Sequence, residues 1–476
     1  MKITKFILIA SVVMLVGFKA DGQEVWTLEQ CVRHALENNL SIKNALLNEQ
    51  MALLNKNQAG HNRYPSLNAN TNFGNNFGRT IDPATNQFRA QNLTFNSWSL
   101  NFNMPIFNGF AISNRIKQAR AELEASQFDT KQTKDDIQLN VVTFYLNVLF
   151  AEDNLANANN QLEISTRQLE RMNAMIRAGA APASERYDLE VQVALDEERL
   201  VQAENAVEQS LIELKNLLQL DPTKEIELDR PDLEIPDSDP LLAVDFQTLY
   251  NRALESQSIV KSSERQIEAA RLGEKIASGG MLPSVSFGGS ISTNYSNRAQ
   301  RITDIEIVPQ NLPVAVNGVP VVLTLPSEMP VLEDNPYFSQ LDENFGYGVG
   351  ITVSIPIYNN LSNRINHQRA RLNTIQAENA SEQIRQNLRT NVSEARANAR
   401  AALQAYRAAE RSLEASQIAL NNAERKLETG TATTFDLINS QNLLNNSRNN
   451  LLQAKYDFIF KLKVIDYYLG NPLTLE

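Results

Sequence analysis

Histidines, cysteines and clustered acids most often carry chemistry, and this chain uses the first two sparingly. Its three histidines, His34, His61 and His367, are far apart, and Cys31 is its one cysteine. No internal disulfide and no thiolate-rich metal cluster can form. There is no His-x-x-x-His pair and no Gly-x-Ser-x-Gly. Gly346-x-Gly-x-Gly350 sits inside an alternating apolar/polar run and opens no helix, so it is not a nucleotide loop. Acids are plentiful, but they lie on helical patterns where a solvated face accounts for them. No catalytic, cofactor-binding or metal-ligating residue is assigned, and the chain reads as a non-enzyme. The net charge of −11 also argues against a nucleic-acid binder, which needs a basic face. What remains is electrostatic. Glu185 follows the turning residue Gly179, and Asp436 follows Gly430 at the same spacing. Each acid falls in the first turn of a helix, where a negative charge is favoured. The alignment of Glu185 is open, since Asp188-Leu189 also resembles Asp436-Leu437.

The elements that must position these acids come in two copies. Ala35-Leu36-Glu37 recurs as Ala253-Leu254-Glu255, Pro65-Ser66 as Pro283-Ser284, and Ser113-Asn-Arg-Ile116 as Ser362-Asn-Arg-Ile365. The expected units are 23–222 and 242–476, joined by a linker over 223–241 that holds Pro231, Pro236 and Pro240. Before them, Lys2 and Lys5 precede the apolar run 6–18, and Lys19-Ala-Asp-Gly22 follows. This is a secretory signal over 1–22, too short to span a bilayer. Cys31 reads as a small core residue.

Each copy reads helix, strand, strand, very long helix, helix. In the first, helices are expected over 27–60, 111–178 and 184–219, with strands over 67–77 and 93–107. In the second, helices are expected over 242–278, 361–429 and 432–469, with strands over 285–295 and 346–357. The long helices carry an unbroken heptad seam. It runs Ile137, Val141, Phe144, Val148, Ala151, Leu155 to Ile176 in one copy, and Leu388, Val392, Ala395, Ala399, Ala402, Tyr406 to Leu427 in the other. Many seam residues are Ala or Ser, which permits close helix approach. Arg177-Ala-Gly179 and Glu428-Thr-Gly430 then stop each helix at a Gly cap. A second seam follows, with Leu189, Val193, Leu200, Ala203, Val207 and Leu214. Each copy therefore holds an antiparallel hairpin. At ~1.5 Å per residue the long helix is roughly 100 Å, which suits a tall cylinder wall.

The strands alternate strictly. Trp98, Leu100, Phe102, Met104 and Ile106 interleave with Ser97, Ser99, Asn101 and Asn103. Val349, Ile351, Val353, Ile355 and Ile357 interleave with Gly348, Gly350, Thr352 and Ser354. Leu67, Ala69, Thr71, Phe73 and Val285, Phe287, Ile291, Tyr295 do likewise. Such dyads mark an outer-membrane barrel, lipid outside and water inside. Trp98 suits an aromatic belt or a core. Four strands cannot close alone, because the smallest such barrels need about eight, so several chains must share one. The extra length of the second copy, 296–343, lies between two membrane strands and is expected to be an extracellular loop.

With these residues assembled, the chain resembles the TolC-like outer-membrane efflux proteins. The resemblance rests on the duplication and on Pro-Ser before each first strand. It rests also on Met104-Pro-Ile-Phe-Asn-Gly109 and Ile355-Pro-Ile-Tyr-Asn359, and on Gly430-Thr-Ala-Thr-Thr-Phe-Asp-Leu437 at a tip. It implies a mainly α fold with a membrane β contribution: a homotrimer with a twelve-stranded barrel and a twelve-helix periplasmic tunnel. It implies a periplasmic adaptor and an inner-membrane pump or type I secretion system as partners. It also implies that acids matching Glu185 and Asp436 line the closed end of the tunnel, six carboxylates in a trimer. Arg177, Gly179, Gly430 and Thr431 are then the tip and adaptor-contact candidates. The chain departs from well-known members at Ala432, at Asn439 and in its short tail after Gly470. The competing reading is a periplasmic coiled-coil adaptor or structural protein, but one hairpin and no amphipathic strands would then suffice.

Overall fold

The computed structural model describes residues 25–81, 86–90, 92–231, 235, 243–316 and 318–475. The signal segment 1–22 and linker residues 232–234 and 236–241 lie outside the described residues. In chain order the first repeat holds β1 (Val25–Trp26), α1 (Leu28–Asn38), α2 (Leu40–His61), β2 (Ser66–Asn76), β3 (Arg79–Ile81), β4 (Phe88–Ala90), β5 (Leu93–Asn108), α3 (Ala111–Arg177) and α4 (Glu185–Leu218). After β6 (Glu227–Leu228) come α5 (Phe246–Ser256), α6 (Ser258–Gly279), β7 (Ser284–Ser296), β8 (Gln300–Val316), β9 (Val319–Asp334), α7 (Tyr337–Glu343), β10 (Gly346–Ser354), α8 (Ser362–Glu428) and α9 (Thr434–Leu469).

Two single helices expected from the sequence are each broken in two. Asn39 leaves the helix with ψ 130°, its amide donating to Leu217 O and its side-chain oxygen accepting from Ser41 N. Gln257 does the same with ψ 120°, and its amide donates to Tyr467 O and Tyr468 O. Each break thus places one buried amide where it satisfies carbonyls of a neighbouring helix end. The apolar spacing continues across both breaks, so periodicity alone does not reveal them.

Compact packing cuts across the two sequence repeats. One unit comprises residues through Leu53 with Ala121–Glu268 and Ile375–Glu476; the other comprises Leu54–Arg120 with Ala269–Thr374. The first is helical. Its core gathers Cys31, Ala35, Ile42, Val141, Val142, Tyr145, Val148, Leu214 and Leu218, and a second cluster gathers Leu249, Ala253, Val392, Ala399, Phe458 and Ile465. A fully buried Val or Leu contributes about 1.5–3 kcal/mol, so the seams hold the helices. Every seam residue of α3 and α8 is buried or half-buried. Burial pushes the Cys31 thiol up to about 12, as suits an inert core residue. β1 and β6 form a short parallel pair. Tyr145 ties it down, its hydroxyl donating to Asp229 O at 2.6 Å and Trp26 O at 3.3 Å.

The second unit is built on a four-stranded sheet, ordered β10-β7-β5-β2 and antiparallel throughout. The repeats meet inside it, because β5 of the first pairs with β7 of the second. The register keeps like with like. Leu67 pairs with Phe102, Ala69 with Leu100, Leu100 with Ile291, Ile291 with Tyr347, and Phe287 with Ile351. Asn68 pairs with Asn101, Asn101 with Ser290, and Ser290 with Gly348 on the other face. Backbone hydrogen bonding therefore sums four separate alternations into one apolar and one polar surface. β10 stops at Ser354, short of the expected Ile357.

The segment 296–343 holds ordered structure. It forms the long hairpin β8–β9, followed by α7, which packs on β7. Several apolar stretches separated by Pro disguise these strands in the sequence. At the base of the sheet, Gly109 (φ +62°) and Gly279 approach backbone to backbone, and a Cβ on Gly109 would collide with the Gly279 carbonyl. At Gly179 the φ is +72°, but nothing lies within 4 Å of an added Cβ. Gly109→Ala is expected to cost roughly 2–4 kcal/mol and Gly179→Ala only about 1 kcal/mol. Thermal melts of the detergent-solubilised variants check this, and equal losses would contradict it.

Candidate functional site

The two hairpin tips close in the same way. Gly179 and Gly430 both have φ +72°. Gly179 N donates to Ile176 O and Ala180 N to Met175 O, while Gly430 N donates to Leu427 O and Thr431 N to Lys426 O. Each is a Schellman motif, which satisfies the last carbonyls of the long helix and requires a left-handed residue. Arg177 ends α3 with its side chain exposed. The Thr431 hydroxyl donates back to Lys426 O at 3.1 Å.

The two tip acids have different partners. Asp436 closes a capping box on α9: Thr433 N and Thr433 Oγ1 donate to its Oδ2 at 2.9 and 2.8 Å, and Asp436 N donates to Thr433 Oγ1. These donors, the backbone N–H above all, hold its carboxyl below the usual carboxylate range. α4 lacks this device. Its N-cap Ser184 has helical dihedrals and makes no side-chain cap bond. Glu185 reaches to the other hairpin, where its Oε2 accepts from the buried Thr434 hydroxyl at 2.6 Å.

Above the tips lies a polar layer that sequence reasoning missed. Asp196 is 1% exposed. It accepts from Gln192 Nε2 at 3.0 Å, Arg199 Nη1 at 2.8 Å and Gln161 Nε2 at 3.3 Å. Asn442 of α9 donates to Gln192 Oε1 and so joins the second hairpin to it. A cavity of about 240 Å³ adjoins it, lined by Asn154, Gln161, Asp196, Gln202, Asn445 and Asn449. The signal was a gap in the α4 seam, since Asp196 stands midway between Val193 and Leu200 where an apolar residue is due. Toward the other end of the helices, Arg230 bonds Glu152 at 2.7 Å and Asp153 at 3.2 Å. Tyr456 donates to Asp153 Oδ2 at 2.8 Å.

The sheet presents the other functional surface. Leu67, Phe73, Trp98, Ile291, Tyr347, Val349, Ile351 and Val353 are all exposed on its apolar face. Tyr337 of α7 donates to Asn96 Oδ1 at 2.7 Å and accepts from Trp98 Nε1 at 3.2 Å, and its ring lies tilted against that of Tyr295. Trp98 therefore stands at an aromatic cluster near one end of the strands. Among the described residues no helix is long and apolar enough to cross a membrane, and no group of His, Cys, Asp or Glu is placed to hold a metal ion.

Comparison with known proteins agrees over nearly the whole length. The model for the family "Outer membrane efflux protein" matches residues 31–219 and 249–471. The outer membrane protein TolC of Vibrio cholerae is 22% identical over 380 residues, covering 79% of this chain and 76% of that protein. The crystal structure of CusC superposes with a TM-score of 0.74 at 17% identity, covering 96% of both chains. That of VceC from Vibrio cholerae gives 0.73 at 14% identity, covering 94% of this chain and 97% of that one. At these identities the structural likeness is one of fold.

The Asp436 cap makes a pH prediction. Its folded carboxyl titrates below its unfolded value, so its contribution is complete above the unfolded range near pH ~4 and is lost as pH falls through the folded value. Melting temperatures of the natural chain and Asp436→Ala are expected to differ at pH 7 and to converge on acidification toward pH ~3. A gap that widens with acid would contradict the capping role.

Proposed function

Because the chain belongs to the outer membrane efflux protein family, outer-membrane channels of tripartite efflux systems rather than enzymes, we propose that three copies share one twelve-stranded barrel, with β2 of each chain pairing to β10 of the next. The observation that carries this reading is the sheet itself. Its apolar and polar faces are separated over Leu67–Phe73, Trp98–Met104, Phe287–Ile291 and Tyr347–Val353, and among the described residues each outer strand has one unpaired edge. Lipid accepts the apolar face and water the polar one, but neither edge can stand in hydrocarbon. In this reading the segment 296–343 lies on the cell exterior and the Gly179 and Gly430 tips lie in the periplasm.

The tips then serve as gate and docking point. Glu185 and Asp436 together supply six carboxylates to the narrow end of a trimer, which attracts cations and repels anions. A periplasmic adaptor, linking the channel to an inner-membrane pump, meets the exposed turns at Arg177, Gly179, Gly430 and Thr431. The adaptor reading of the chain itself finds no support in a sheet with a continuous lipid-compatible face.

Two measurements test this. The mass of the detergent-solubilised protein is expected to equal three chains, and a stable folded monomer would overturn the shared barrel. In planar bilayers, the double variant Glu185→Gln, Asp436→Asn is expected to lose cation selectivity and block by multivalent cations while remaining trimeric. Unchanged selectivity would remove the acids from the gate.

A further inference from the structure

The hairpin β8–β9 differs in kind from the rest of the chain. No charged residue occurs from Ile307 to Ser327, although 21% of all residues are charged. Its exposed side chains include the aliphatic Leu312, Val314, Val321, Val322, Leu323 and Leu325. Five prolines interrupt it, and their placement is regular. Pro309 pairs with Pro326, Pro313 with Val322, Pro320 with Ala315 and Pro330 with Ile305. Two facing prolines fit only where neither N–H points at the partner strand. The other three share that phase, so all five take the place of N–H groups directed at the open edges. Both edges are thereby blunted against pairing with a further strand.

Contact must then go through a face, and the two faces differ. One carries the prolines, the exposed Val322 opposite Pro313, and the polar pair Asn311–Thr324, in which Thr324 Oγ1 donates at 2.8 Å. The other is an aliphatic ladder of Leu312–Leu323 and Val314–Val321, with Leu325 opposite Gln310. The hairpin is also rooted firmly. Asn335 N donates to Ala299 O, Asn297 N to Thr94 O, and Thr94 N to Asn297 Oδ1. The buried amide of Gln340 bonds both strands of the root, Ser296 and Asn335. Its direction is thus set by the barrel sheet.

We propose that the occupant of this ladder is a second copy of the same face: three hairpins pack with Leu312, Val314, Val321 and Leu323 toward the threefold axis and cover the outer mouth of the barrel. This rests on the trimeric outer-membrane reading above. Symmetry selects the partner. Around an axis each residue meets its own copies, so a charge would face like charges, and this segment has none. The aliphatic rungs instead meet in layers, while the proline face stays in water.

A single thiol reads the contact, because Cys31 is fully buried. Val321→Cys and, separately, Leu312→Cys are made in the full chain and oxidised mildly on intact cells. Three thiols around one axis can form one disulfide, so covalent dimer is expected from up to about two-thirds of the chains. Thr324→Cys on the proline face is expected to give several-fold less. Monomer alone from both ladder positions, in a protein whose mass still equals three chains, overturns the proposal without touching the trimer. If those thiols then react with an impermeant maleimide, the hairpins stand apart; if they are shielded, a lipid or another protein covers them. A mass of one chain overturns this contact and the shared barrel together.

Discussion

An unpaired backbone N–H or C=O in hydrocarbon costs several kcal/mol, and the sheet of this chain has two full edges of them. Among the described residues, β2 and β10 each have a partner strand on one side only. A chain with this sheet is an incomplete object in a membrane. In the proposed trimer the same two edges become the subunit contact, so assembly and insertion answer a single constraint.

That constraint also explains why packing ignores the repeats. Each repeat contributes two strands and two hairpin helices, but two strands cannot form a stable membrane sheet and one hairpin cannot bury its seam. β5 therefore pairs with β7 across the duplication. In the same way α9 contacts both α5 and α4.

The fold was legible where periodicity is long and undisturbed. The seams of α3 and α8 run through eleven alternating three- and four-residue steps with no exposed member, and the alternation of Trp98 to Met104 marks one apolar face, up to the bulge after Pro105. Legibility failed where one polar residue substitutes for regular structure. Asn39 and Gln257 break helices without breaking the apolar spacing, since each exchanges helical bonds for side-chain bonds to another element. Asp196 stands where the α4 spacing calls for an apolar residue, and only its burial with three donors shows it as the centre of a polar layer. In β8–β9 the prolines read as irregular chain, because a Pro counts against a strand unless its N–H would face an edge. Of the candidate site, the turning glycines and the first-turn position of both acids were visible. Their partners were not, since Thr434 meets Glu185 only after both hairpins have folded.

The duplicated tips have diverged in how they are held, and this gives them unequal parts in any movement. The second hairpin is self-contained, with Thr433 and Asp436 bonding within one turn of α9. The first depends on the second: Ser184 makes no side-chain cap bond, and Glu185 spends its carboxylate on Thr434. Separating the tips therefore breaks the Glu185–Thr434 bond and leaves the α9 cap whole. The next ties along the helices are Asn442 to Gln192 and, through it, Asp196. Amides released there can exchange their partners for water at little cost, because an intramolecular hydrogen bond is worth only about 1 kcal/mol net when solvent replaces it. An apolar layer at the same level would resist wetting by the full transfer energy of its side chains. The polar layer thus makes the hairpins separable next to their tips, while the Val141, Val142 and Val148 core further along keeps them joined.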